Sequence, residues 1–137
     1  MYNETINCII VKKKDKKILL VEDETELREL YEMLLKDAGY QVDSMPDGKT
    51  GLEAVQKGGY DLVLLDIMLP FIDGLEILEK TSKDPNAQPA NSIVLLTNLA
   101  QDQTVAKALE LGVRGYMIKS DYNPEQLLES VADFLNQ

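Results

Sequence analysis

At 137 residues the chain suits one domain around one core, and its formal charge of −10 argues against a nucleic-acid-binding surface, which needs clustered cations. With no histidine and a single cysteine, Cys8, it has no serine–histidine or cysteine–histidine catalytic arrangement, no histidine-ligated or cysteine-cluster zinc site, no intrachain disulfide and no phosphohistidine of its own. No apolar run nears the roughly 18 residues of a membrane span, and the run from Ile6 to Val11 is short with its lysines after it, so no membrane association is expected and the cytoplasm is the expected compartment.

Residues 1–16 are expected to be a flexible extension, in which the basic run Lys12-Lys13-Lys14-Asp15-Lys16-Lys17 is a solvated lead into the core; residues 17–137 form the domain. A first strand is predicted over 17–21. A helix over 24–38 follows, with Leu27, Leu30, Tyr31, Leu34, Leu35 and Ala38 on one stripe, Asp23 or Thr25 placed to cap it and Gly39 to end it. A weaker strand over 41–45 leads to an Asp47-Gly48 turn signal and a helix over 49–57 that stops at Gly58-Gly59. A strand over 61–65, a loop with Pro70 and Asp73-Gly74, and a helix over 75–82 come next. Residues 83–92 are polar with two prolines and read as a surface connection. A strand over 93–96, a helix over 102–111 ended by Gly112, a strand over 115–118 and a last helix opened by Asn123-Pro124 complete the chain. That helix sets Leu127, Leu128, Val131 and Leu135 on one face. Strict strand–helix alternation with short loops predicts an α/β domain: a parallel sheet with right-handed crossovers and helices on both faces.

The strand ends carry the chemistry. Ile18-Leu19-Leu20-Val21 runs into Glu22-Asp23, Leu62-Val63-Leu64-Leu65 into Asp66, Ile93-Val94-Leu95-Leu96 into Thr97, and Tyr116-Met117-Ile118 into Lys119. Sites in open parallel sheets form outside the carboxyl ends of the strands, so such a sheet gathers three acids, a hydroxyl and an ammonium at one rim. Three adjacent carboxylates repel one another and call for a hard divalent cation, Mg²⁺ or another such as Mn²⁺, because no soft ligand is near. A carboxylate can be the nucleophile in phosphoryl transfer, with Lys119 pairing one phosphoryl oxygen and Thr97 hydrogen-bonding another.

These segments resemble a response regulator receiver domain. The likeness runs through Lys17-Ile18-Leu19-Leu20-Val21-Glu22-Asp23-Glu24, through Asp61-Leu62-Val63-Leu64-Leu65-Asp66-Ile67-Met68-Leu69-Pro70 with Asp73-Gly74, through Leu95-Leu96-Thr97, and through Gly112-Val113-Arg114-Gly115-Tyr116-Met117-Ile118-Lys119. It implies a single-domain flavodoxin-like (βα)5 fold with strand order 2-1-3-4-5. It implies Asp66 as phosphoacceptor, Glu22 and Asp23 as metal-binding acids with the Met68 backbone carbonyl as a further ligand, Thr97 and Lys119 as phosphate-sensing groups, and Tyr116 as the switch aromatic. A sensor histidine kinase or phosphotransfer protein is the implied donor. The output is a change in the surface of the fourth helix, fifth strand and fifth helix, read by a protein partner or a second copy and not by nucleic acid. On this reading the chain is a signalling switch and not a turnover enzyme.

Two features depart from the family pattern. Ser120 stands where a proline often follows the lysine, and Asn98 and Leu99 stand where small residues are common after the threonine. With Met68, Leu99 is expected to crowd the phosphoryl group and prolong its life. A haloacid-dehalogenase type of phosphotransferase would have a second aspartate where Met68 stands, and a nucleotide or flavin carrier would have a Gly-rich loop after the first strand, which is missing.

Overall fold

The computed structural model describes residues 15–98 and 103–137. Its elements are β1 (Lys17–Val21), α1 (Thr25–Asp37), β2 (Gln41–Met45), α2 (Gly48–Lys57), β3 (Leu62–Asp66), α3 (Gly74–Thr81), β4 (Ile93–Thr97), α4 (Gln103–Glu110), β5 (Gly115–Ile118) and α5 (Pro124–Leu135), with 3₁₀ turns at Ala90–Ser92 and Lys119–Asp121. The strands form one parallel sheet in the order β2-β1-β3-β4-β5, the order that the resemblance implies.

Every residue of β3 and β4 is buried, as expected for central strands covered on both faces. Alternation along the strands sorts their side chains into two cores. Ile18, Leu20, Leu62, Leu64, Val94 and Leu96 pack against Tyr31 and Leu35 of α1 and Leu127 and Val131 of α5. Leu19, Val21, Val63, Leu65, Ile93 and Leu95 pack against Val55 of α2, Ile77 and Leu78 of α3, and Val105 and Ala108 of α4. Each fully buried leucine or isoleucine contributes on the order of 1.5–3 kcal/mol of transfer free energy, which makes this double-sided sheet the rigid base of the site. β2 lies at an edge and stays half-exposed, which is why its apolar pattern is the weakest of the five.

Among the described residues, three helices start on side-chain caps. Asp47 accepts from the Thr50 N–H and Asp73 from the Glu76 N–H, while Asn123 and Gln126 form a reciprocal capping box ahead of Pro124. The Asp47-Gly48 turn signal is thus a helix start. At α1 neither expected cap is used: Glu24 occupies the N-cap position and no side chain caps the helix. Leu30 lies outside the core, 40% exposed, so the apolar stripe of α1 is narrower than its spacing implies.

The connection over 83–92 also differs from a plain surface loop, because Ala87, Gln88 and Ser92 are buried. The Gln88 amide accepts from the Tyr60 N–H (2.9 Å) and donates to the Tyr60 carbonyl (2.6 Å) and the Ser92 hydroxyl (2.7 Å), stitching the starts of β3 and β4 together. The expected N-terminal extension lies, up to residue 14, outside the described residues, as does Leu99. Among the described residues no helix is long and apolar enough to cross a membrane.

Candidate functional site

Register alone brings four strand ends level. Val21 pairs with Leu65, which sets Glu22 beside Asp66; Asp66 pairs with Leu96, which sets Thr97 one step beyond; Thr97 pairs with Ile118, which puts Lys119 just past it. Asp66 is the last residue of β3 and almost fully buried, Thr97 is buried, and Glu22 is wholly inaccessible.

The Lys119 ammonium reaches across this rim. It donates to Asp66 Oδ2 at 2.8 Å and to both Glu22 oxygens at 2.8 and 3.0 Å. The other Asp66 oxygen, Oδ1, accepts from the Met68 N–H at 3.1 Å. Oxygens of Glu22, Asp23 and Asp66 lie within 4.8 Å of one another, an all-oxygen set suited to a hard divalent cation. Burial raises the Glu22 carboxyl above the usual carboxylate range; the neighbouring Asp66 adds to this, and Lys119 pulls against it. Lys119 is held above its ordinary value: burial opposes its charge, but its bonds to Asp66 and Glu22 outweigh that. A lysine that stays charged between two buried acids is the counter-ion that makes the cluster tolerable in the absence of metal.

The loop after β3 is built tightly. The Gly74 N–H donates to the Ile67 carbonyl at 2.8 Å, and a Cβ on Gly74 would sit 2.5 Å from the Asp66 carbonyl oxygen, so α3 begins directly against the backbone of Asp66. Within this loop Phe71 has φ of 72°, the single positive-φ residue other than glycine among the described residues, with its ring 82% exposed. Met68, whose N–H bonds to Asp66, is 74% exposed. Tyr116 lies apart from the cluster on edge strand β5, 39% exposed. After Lys119 the chain turns through a short 3₁₀ segment containing Ser120, and no cis peptide occurs among the described residues.

Two residues of α1 join the site unannounced by the sequence. Arg28 donates from Nη1 to the backbone carbonyls of Glu22 (2.8 Å) and Asp23 (3.3 Å). Tyr31, expected only as part of the apolar stripe, is buried close enough for the site to act on its phenol. Burial raises it, Lys119 lowers it, and Glu22 and Glu24 raise it further. An arginine near the start of an amphipathic helix has no motif to flag it.

A family model described as the response regulator receiver domain matches residues 18–132. The transcriptional regulatory protein PcoR of Escherichia coli is 39% identical over 103 residues, 75% of this chain and 44% of that protein. DltR of Streptococcus agalactiae, also a transcriptional regulatory protein, is 39% identical over 115 residues, 84% of this chain and 50% of that one. The chain spans about half the length of the curated relatives it matches. Among solved structures, a CheY-like receiver domain protein of Methanospirillum hungatei superposes with a TM-score of 0.76 at 30% identity, covering 88% of this chain and 94% of that one. The chain therefore belongs to the response regulator receiver domain family, the receivers of two-component signalling.

Proposed function

We propose that Asp66 is the phosphoacceptor of this receiver, in a reaction that depends on a divalent cation, Mg²⁺ by preference. The observation that carries this reading is the placement of a buried Asp66 with one oxygen 2.8 Å from Lys119 and the carboxylates of Glu22 and Asp23 alongside. Glu22, Asp23, Asp66 and the Met68 backbone carbonyl would hold the cation, whose charge would screen the approach of an anionic phosphoryl group to a carboxylate. An oxygen of Asp66 attacks phosphorus, the bond from phosphorus to the donor breaks, and the donor keeps the electron pair. Lys119 then pairs with a phosphoryl oxygen instead of with Asp66 alone, and the Thr97 hydroxyl hydrogen-bonds another.

The donor is a phosphohistidine on a sensor kinase or phosphotransfer protein, since this chain has no histidine of its own. Tyr116 reports the change on the surface formed by α4, β5 and α5, which a protein partner or a second copy reads. The chain thus acts as a cytoplasmic switch and not as a catalyst turning over an external substrate. Phosphorylation of the whole chain by a small acyl phosphate, followed by intact mass, tests the assignment. An added phosphoryl group that requires Mg²⁺ and is reduced to background in Asp66→Asn supports it; label retained by Asp66→Asn overturns it.

A further inference from the structure

We infer that Arg28 is a positioning residue for the metal-binding acids, acting through the backbone of Glu22 and Asp23; this rests on the proposal above that those acids hold a cation. The residues sit just past the end of β1. The Glu22 N–H donates to the Met45 carbonyl of β2 at 3.1 Å, which secures one side of this turn. On the other side the carbonyls of Glu22 and Asp23 converge on Arg28 Nη1. Two successive carbonyls held by one nitrogen fix the orientation of the peptide between them, and with it the directions in which both carboxylates leave the main chain.

A second observation points the same way. Asp47, Asp73 and Asn123 each spend a side-chain oxygen on capping α2, α3 and α5, and each thereby anchors the turn leading into its helix. α1 has no such cap. A cap from Asp23 would anchor the turn but would take its carboxylate away from the cluster with Glu22 and Asp66. Arg28, on the second turn of α1, supplies the anchor instead and leaves that carboxylate available. A guanidinium is suited to this because its donors are fixed in a plane, whereas a lysine ammonium has the charge without the fixed geometry.

Charge and geometry predict opposite results, which makes the idea testable. If Arg28 acted only as a nearby positive charge, removing it would strengthen cation binding. If it positions the acids, replacing its planar guanidinium by a lysine of equal charge weakens binding. Mg²⁺ is titrated into the full chain and into Arg28→Lys and Arg28→Gln, followed by backbone amide NMR. The Mg²⁺ dependence of phosphorylation by an acyl phosphate and the thermal midpoint without Mg²⁺ are measured alongside. The expected result is a half-saturating Mg²⁺ concentration raised about tenfold in Arg28→Lys, the low end for loss of a group that orients metal ligands. The phosphorylation rate at saturating Mg²⁺ is expected to return to that of the parent, a split that general destabilisation would not produce. Equal Mg²⁺ binding by Arg28→Lys and the parent overturns the inference, as does tighter binding by Arg28→Gln with Arg28→Lys unchanged. A parent chain that binds no Mg²⁺ overturns the metal reading and this inference with it.

Discussion

Where the strands begin, the buried polar groups are neutral and satisfy one another: the Gln88 amide, the Tyr60 main chain and the Ser92 hydroxyl, with Ser92 in turn donating to the Pro89 carbonyl, while the ion pairs of Lys16 with Asp61 and Lys17 with Asp43 stay in solvent. Where the strands end, the ionisable side chains of Glu22, Asp66 and Lys119 are buried together, with exposed Asp23 alongside. Backbone strain divides the same way. The positive-φ residues leading into β2, β3 and β5 are the glycines Gly39, Gly58, Gly59 and Gly112, which adopt that conformation at no steric cost, whereas beside the acid cluster Phe71 takes it. One rim is what a stable fold selects. The other accepts buried like charges and a strained loop, costs that make physical sense for a site arranged around a ligand. The contrast locates function without reference to any motif.

The largest expected effect lies at the charged rim. Lys119→Met strands Glu22 and Asp66 together without their counter-ion, and loss of one partner from a buried ionic cluster costs about 3 kcal/mol or more. Uptake of a proton by Glu22 would soften this, since burial already favours its neutral form. Denaturant unfolding without metal should show the loss, and millimolar Mg²⁺ should restore part of it by binding only the folded chain. A loss below about 1 kcal/mol, the range of exposed pairs, would mean that the cluster is not held by Lys119.

Gln88→Ala tests the opposite rim. It leaves the Tyr60 N–H and carbonyl without their amide partner and should cost about 2 kcal/mol, with the proposed phosphorylation unchanged. An altered phosphorylation rate would break the division between the rims, because Gln88 would then be coupled across the sheet. The smallest effect has the opposite sign. Phe71→Gly relieves a positive φ while giving up little buried surface, and after glycine's extra freedom in the unfolded chain is deducted, a gain of about 0.5 kcal/mol is expected. An unfolding midpoint that falls instead would show that the exposed ring has a packing role.

How legible each part was follows from the physics that made it. The double-sided sheet was readable because strands buried on both faces must be continuously apolar, and the site was readable because its acids, hydroxyl and lysine directly follow those runs. Gln88 was not, since a buried glutamine in a proline-containing polar stretch has the composition of a solvated loop. Leu30 misled in the other direction, for a helical stripe says which residues share a face and not how wide the covering surface is.

The order of apolar runs and the residues that end them were thus determined by the sequence alone, because they depend on local chemistry and chain direction. Three things were left to the tertiary structure. Register made Glu22, Asp66, Thr97 and Lys119 level; the missing cap on α1 left Asp23 for the cluster; and Arg28 was turned back onto the two carbonyls before its helix. The first joins segments far apart in the chain, and the other two depend on how the turn from β1 into α1 is folded, which residue spacing does not signal.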